Sequence, residues 1–379
     1  MIAGVCARAF AESVARAGYA CWAVDAFGDL DLKALIPAIG LRRDLGWRYS
    51  ATAAARVARH IGATDVAYVG NFENHPAAVR RLAAGARLLG NAPAVLARAR
   101  DARALAAVVA GAGERVPTTL PPARVAAADP AREWLCKPAR GGGGTGVRTW
   151  TPGSAVASGE LVQERARGVL GSLVFLADGA RARLLGLSHQ LAGEAELGGR
   201  GFRYCGSIYP LEPPPEHVPW LEERARALAD AVTAAFGLRG VNGLDFVLHG
   251  DELLVLELNP RFPASAELME RATGLSIFAA HAAACLGELP GRIPAPGRGS
   301  WGKAILYARA EHVMGDTRAW LDRPDVRDVP FPGERIPAGS PICTLFARGA
   351  STAECRARLL AAARDIEQEL HVDAGPTPS

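Results

Sequence analysis

The apolar positions of this chain change period several times, and each change marks an element. Ile2 to Cys6 is a short apolar run, and Ala7 to Gly18 then repeats at helical spacing, with Gly18 as its C-cap. Tyr19 to Val24 reads as a second strand, ending at Asp25. A helix over 51–62 stops at Gly62, Val66 to Val69 returns to strand, Pro76 to Ala86 is helical, and Arg87 to Leu89 is a short strand. Strands alternating with helices imply a parallel sheet, so residues 1–92 are expected to form an α/β domain. Such sheets bind ligands beyond the carboxyl ends of their strands, where Asp25, Asn71, Glu73 and Asn74 fall. Asn71 and Glu73 are therefore candidate substrate residues. No GxGxxG follows the first strand, which argues against a dinucleotide site.

Residues 93–113 read as one uninterrupted helix, and the Pro-rich stretch from Val116 to Pro130 as a connector. Trp134 to Pro138, Val147 to Trp150 and Glu160 to Glu164 are strands. Gly171 to Ala177 and Arg181 to Gln190 form a hairpin around Asp178-Gly179. Residues 216–236 are a periodic helix, and Ala264 to Gly287 is helical with a break at Gly274. Pro290 to Pro296 is a linker, 299–348 is β-rich, Thr352 to Leu370 is a final helix, and the last few residues are expected to fray. The expected layout is an amino-terminal α/β domain (1–92), a central domain (93–290) with a smaller lobe at about 120–165, and a β-rich carboxyl-terminal subdomain (291–379).

The stretch from Gly243 to Arg261 carries the most chemistry. Two apolar runs flank His249-Gly250-Asp251-Glu252, the signature of a β-hairpin. Alternation places Glu257 and Asn259 on one face of the second strand and Leu256 and Leu258 on the other. Oxygen donors two apart on a strand suit a hard divalent cation. A three-residue loop, Gly250 to Glu252, sets Asp245 opposite Glu257 on that face. A two-residue loop turns it away, because a one-residue slip reverses the face. A metal site here is thus expected to need an odd loop.

Composition narrows the function classes. The chain has 379 residues, 49% of them hydrophobic, enough for two or three domains with cores. A net charge of +4, dispersed over the sequence, gives no nucleic-acid footprint. There is no apolar run long enough for a membrane span. Residues 1–10 hold a single charge and lead into Glu12, unlike a secretory leader. Seven scattered cysteines without a CxxC spacing point to reduced thiols and a cytoplasmic location.

Ala139-Arg140-Gly141-Gly142-Gly143-Gly144-Thr145-Gly146 follows a strand that bears Lys137. Without Cβ atoms, backbone N–H groups can approach phosphate oxygens closely. The loop is not a Walker A motif, since Lys137 precedes the glycines. Arg261, two residues beyond Asn259, offers a rigid fork for a phosphoryl or carboxylate group. Glycine loop, Lys137, the acids Asp245 and Glu257, and Arg261 together describe phosphoryl transfer from Mg-ATP.

On these motifs the chain resembles the ATP-grasp superfamily, near its biotin carboxylase-like carboligases, over roughly residues 95–290. The resemblance implies an α+β fold with a two-lobed ATP domain, and ATP with Mg²⁺ or Mn²⁺ as cofactors. It places Lys137 on the α-phosphate and Gly141, Gly142, Gly143, Gly144 and Gly146 over the β- and γ-phosphates. Gln163, Glu164, Arg165 and Ala166 would read the adenine. Asp245, Glu257 and Asn259 match the metal ligands, and Arg261 the arginine that steadies the reacting group. The family's earlier phosphate lysine is missing, so Arg100 would have to replace it. Lys137 and Arg261 are the implied catalytic residues.

Asn71-Phe72-Glu73-Asn74, Ser188-His189-Gln190 and Phe202-Arg203-Tyr204 further resemble a subgroup similar to ligases that join glutamate to an amine such as tyramine in methanofuran or methylofuran assembly. The implied reaction is amide formation from a carboxylate and an amine through an acyl phosphate, with release of ADP and phosphate. Arg203 and Arg261 are candidates for the substrate carboxylate, and His189 and His249 for the base. The partners are then small molecules, with neither nucleic acid nor membrane, in a protein whose resembling relatives are commonly homodimers. Two other readings share the ATP residues: carboxylation through carboxyphosphate, and a non-catalytic nucleotide-binding module.

Overall fold

The computed structural model describes residues 1–212 and 218–373. The expected helix start at 216–217 and the expected fraying of the last residues, 374–379, lie outside them.

The amino-terminal sheet is parallel, as the alternating pattern requires. Its strands are β1 (Ile2–Ala3), β2 (Ala23–Asp25), β3 (Ala38–Gly40), β4 (Asp65–Tyr68) and β5 (Arg87–Leu89), in the order β3-β2-β1-β4-β5. Strand β3 has no counterpart among the strands expected from the sequence. The expected strand Tyr19–Val24 shrinks to β2. Its first residues are exposed, with Tyr19 at 57% and Trp22 at 44%, so no second face is buried to hold a strand there.

The expected helix 93–113 is two helices, Pro93–Ala99 and Ala102–Gly111. The break lies at Arg100-Asp101. The Asp101 side chain accepts from the N–H groups of Arg103 and Ala104 at 2.8 and 3.0 Å, capping the second helix and turning the chain. That turn puts Arg100 at the edge of the site described below.

A small sheet follows: β6 (Thr119–Leu120), β7 (Trp134–Pro138), β8 (Arg148–Trp150) and β9 (Glu160–Glu164), ordered β6-β9-β7-β8. The large sheet holds β10 (Val169–Asp178), β11 (Ala182–Ala192), β12 (Tyr204–Tyr209), β13 (Arg239–His249), β14 (Glu252–Asn259) and β15 (Ser300–Tyr307). Strands β16 (His312–Val313) and β18 (Arg335–Ile336) pair apart, while β17 (Val326–Arg327) and β19 (Pro341–Gly349) extend the large sheet to the order β14-β13-β10-β11-β12-β15-β19-β17. The β-rich carboxyl-terminal stretch thus continues the central sheet.

Period-two alternation divides the large sheet between two cores. Leu173 and Phe175 pack with Leu221, Leu228 and Phe236 of the helix Val218–Phe236. Val174 and Leu176 face the opposite way, among Ile277, Ala280 and Ala284 of the helix Ile277–Cys285, with Phe10 of the amino-terminal domain. A third core joins Leu306 and Leu345 to Leu359 and Ile366 of the final helix, Thr352–Asp373. The seven cysteines are all free, and four of them, Cys136, Cys205, Cys343 and Cys355, are buried. Among the described residues no helix is long and apolar enough to cross a membrane.

Candidate active site

The β13–β14 hairpin does face Asp245 towards Glu257, but not by the expected loop. His249 pairs with Glu252, so the turn holds two residues, Gly250 and Asp251, with Gly250 at φ 54°. The even turn alone would send Asp245 to the wrong face. A bulge between Asp245 and Phe246 corrects it: Phe246 pairs with Val255 while Asp245 pairs with Glu257, and Leu256 is the extra residue. The neighbouring chain holds the bulge in place, with the Val255 N–H donating to the Arg115 carbonyl at 2.8 Å. On the other side β10 sets Ser172 opposite Asp245.

Asp245 is now held from two directions. Gln190 on β11 donates to Oδ1 at 2.6 Å, and Asn259 donates to Oδ2 at 2.9 Å. Burial and then the Glu257 carboxylate push the Asp245 carboxyl up to about 7, against the Ser172 and Asn259 hydrogen bonds and the Arg261 charge. Two acids facing each other are an electrostatic mismatch, which the Arg261 charge only partly offsets at Asp245. A divalent cation bound by Asp245, Glu257 and Asn259 would relieve it, so the donor set fits a hard metal. Among the described residues no group of three or more His, Cys, Asp or Glu is arranged to hold a metal ion. Two acids and an amide are the sparse set that Mg²⁺ uses when phosphates complete its shell.

Arg261 continues this line. Its Nη2 donates to Asn259 Oδ1 at 3.2 Å and its Nε to Glu73 Oε1 at 3.1 Å, joining the hairpin to the amino-terminal sheet. Burial works against its charge, but Glu73, Asp245 and Glu257 outweigh it and raise the guanidinium pKa.

Across the cavity, Lys137 on β7 donates to Gln163 Oε1 on β9 at 2.9 Å, and Gln163 in turn donates to Thr119 at 3.0 Å. Burial lowers the Lys137 pKa, with Arg100 adding to it and Glu257 and Asp245 opposing. The glycine loop between β7 and β8 lies against the approach to β12: Tyr204 N–H donates to the Gly143 carbonyl at 2.9 Å. Gly144 sits at φ 69°, and a Cβ there would overlap the Phe202 carbonyl oxygen. No larger residue could make that approach.

These parts surround one cavity of about 630 Å³. Its walls include Lys137, Gly143, Gly144, Gln163, Glu164, Arg165, Ala166, Asp245, Glu257, Asn259 and Arg261. Several expected residues stand outside it. Gly141, Gly142 and Gly146 form the root and far side of the loop, with the Gly141 carbonyl accepting from Asn74 and Arg100 at 3.4 and 3.3 Å. Arg100 lies behind the wall, donating to the Leu258 carbonyl at 3.1 Å and 3.7 Å from Glu257. Asn71 and Glu73 sit behind Arg261. Arg203 is turned away: it donates to the Gly339 carbonyl and lies over the Tyr307 ring at 4.8 Å. That backbone acceptor and aromatic face withdraw it from any substrate in the cavity. Neither His189 nor His249 lines the walls. Ser172, Gln190, Tyr204 and Ser207 do, and no motif assigns them a role. Gln190 is visible in the sequence only as part of a longer motif, because its contact with Asp245 spans two strands.

This architecture, a parallel sheet followed by two sheets clasping a cavity, is an ATP-grasp fold, and residues 99–265 match the family profile described as the ATP-grasp domain. Two solved structures align along nearly their whole length. N5-carboxyaminoimidazole ribonucleotide synthetase from Thermus thermophilus is 19% identical with a TM-score of 0.67, covering 98% of each chain. L-amino acid ligase from Bacillus licheniformis is 16% identical with a TM-score of 0.69, covering 96% of each. In sequence, a formate-dependent phosphoribosylglycinamide formyltransferase of Parabacteroides distasonis is 28% identical over 134 residues, 35% of this chain and 34% of that protein. The match thus spans about a third of the relative's length.

Proposed function

We propose that this chain is an ATP-dependent ligase that activates a carboxylate as an acyl phosphate and transfers the acyl group to an amine, releasing ADP and phosphate. The observation that carries this reading is the convergence of Lys137, Gly143 and Gly144, the segment Gln163 to Ala166 and the line Asp245–Asn259–Arg261 on one cavity. The names of the similar proteins, a synthetase, a ligase and a formyltransferase, support the same class of reaction.

In this mechanism the backbone of Gln163 to Ala166 receives the adenine, and Lys137, on the neighbouring strand and hydrogen-bonded to Gln163, holds phosphate oxygens. The glycine loop covers the phosphates and excludes water. Mg²⁺ or Mn²⁺, held by Asp245, Glu257 and Asn259, would neutralise charge on the phosphates. Arg261 presents its fork to the oxygens that gain charge as the carboxylate attacks the γ-phosphorus. The C–O bond of the acyl phosphate then breaks as the amine adds, and phosphate leaves with the bonding pair. Gln190 keeps Asp245 aligned throughout. The finer choice of glutamate as the acid and an amine such as tyramine rests on the loop motifs alone.

The test is phosphate release by the purified chain with Mg-ATP and pools of carboxylates and amines, the product being identified by mass. Release that needs both an acid and an amine is expected. Release driven by bicarbonate without an amine would move the reading to carboxylation through carboxyphosphate. ATP binding without turnover across the panel would leave a nucleotide-binding module.

A further inference from the structure

A second cavity, of about 570 Å³, shares no wall residue with the first. Its wall is built from β11 between Arg183 and Leu187, the chain leaving β12 through Tyr209 to Leu211, the helix Val218–Phe236 and the segment 291–296. The sequence shapes it locally. A Cβ at Gly186 would fall 2.5 Å from the Tyr209 ring, so only glycine lets that ring lie against β11. The Leu211 N–H donates to the Leu187 carbonyl at 2.7 Å, and the Gly297 N–H to the Ala272 carbonyl at 2.9 Å, which fixes the end of the 291–296 segment. Leu185, Tyr209, Leu211 and Leu221 give the wall an apolar, buried part.

The charged part is one-sided. Three arginines and one acid line the cavity, and Arg226 is already paired with that acid, Glu222, at 2.9 Å. Arg183 and Arg292 are left over: among the described residues neither guanidinium has an ion pair or a hydrogen bond, and Arg183 Nε is buried without an acceptor. A guanidinium has five N–H donors and no lone pair to offer, so no rotation of its own can satisfy it. Buried donors are almost always bonded, and here the missing acceptor has a cavity in front of it. We propose that this cavity binds a small organic anion with an apolar body. Its carboxylate, phosphate or sulfonate head would meet Arg183 and Arg292, and its acyl or aryl part the Leu185, Tyr209, Leu211 and Leu221 surface. The volume falls within the roughly 300–1,000 Å³ usual for ligand pockets. The two unpaired cations repel a positive ligand, and a bare inorganic anion would leave the apolar wall unused. The site stands whatever reaction the first cavity performs.

The probe is 8-anilinonaphthalene-1-sulfonate, a sulfonate on an aryl body, titrated by fluorescence against the full chain. The wild type should bind one molecule, displaced by octanoate and not by Mg-ATP, because the two cavities share no residue. Arg183→Gln should weaken binding about tenfold, the loss expected for one hydrogen bond to a charged group. It should leave N-phenyl-1-naphthylamine, the same rings without the sulfonate, unaffected. Ala295→Trp, at an exposed position of the wall, should fill the space and abolish binding of both dyes. A variant that lost its packing would bind more dye, so neither loss can be mistaken for misfolding. No binding to the wild type, displacement by Mg-ATP, or unchanged affinity in both variants would overturn the site and leave a water-filled cleft. An equal loss of the neutral dye in Arg183→Gln would overturn the anion.

Discussion

Ten residues apart in sequence, Glu257 and Glu267 belong to two opposite uses of buried charge. Glu267 is 1% exposed and lies between cations: Lys303 at 2.8 Å, Arg8 in direct contact and Arg271 at 3.8 Å. Burial favours its neutral form, but Arg8 and Lys303 overcome that and hold its carboxyl well below the usual carboxylate range. Arg8 also reaches Asp328 at 2.9 Å, so the network ties the amino-terminal domain, the helix Ala266–Thr273 and the carboxyl-terminal strands together. At the cavity the sign reverses, and Asp245 is pushed up, first by burial and then by the facing Glu257 carboxylate. Where partners are complete the charges hold the fold; where they are incomplete the protein is arranged for something it binds.

The completed network should show the largest effect. Glu267→Ala leaves Arg8 and Lys303 buried with too little negative charge and should cost about 3–5 kcal/mol of stability. Denaturant unfolding would show it, and a loss under about 1 kcal/mol would mean the network is not a structural clamp. At the cavity the cost should fall on turnover. Glu257→Gln combined with Asn259→Ala should lower kcat about 10²–10³-fold while the unfolding midpoint hardly moves. Unchanged turnover would remove these residues from the metal set.

A smaller effect should appear in the pH dependence of stability. Asp245 has a folded pKa of about 7, above its unfolded value near 3.9, so without metal the folded state binds the extra proton between these values. Its contribution to stability therefore declines as pH rises from about 4 to 7 and is most unfavourable above 7. Asp245→Asn should stabilise the metal-free protein at pH 8 by about 1 kcal/mol and flatten that slope. The difference between variant and wild type isolates this group from Asp25 and Asp31, whose carboxyls burial pushes up to about 7 and about 6. A variant with the wild-type slope would show that Asp245 does not carry the extra proton in the folded state.

Local patterns were legible in the sequence, and contacts between elements were hidden. The acidic hairpin, the glycine loop and the strand-borne Lys137 can be read because each is continuous in the chain. The bulge at Leu256 cannot, because Arg115 and β10 fix it from either side. The Asp101 cap that splits residues 93–111 is within reach of the usual start signals, yet the unbroken Ala-rich spacing outweighs it. The Arg261–Glu73 pair spans 188 residues, and the withdrawal of Arg203 depends on Gly339, so no spacing rule announces either.

An acyl phosphate formed in the cavity should carry an oxygen of the acid into the released phosphate. Once phosphate release from the carboxylate and amine pools has supplied the acid, that acid is prepared with ¹⁸O in its carboxylate and turned over with Mg-ATP and an amine. The account predicts ADP as the nucleotide product and one ¹⁸O in each released phosphate. AMP with pyrophosphate, or phosphate free of label, would contradict it.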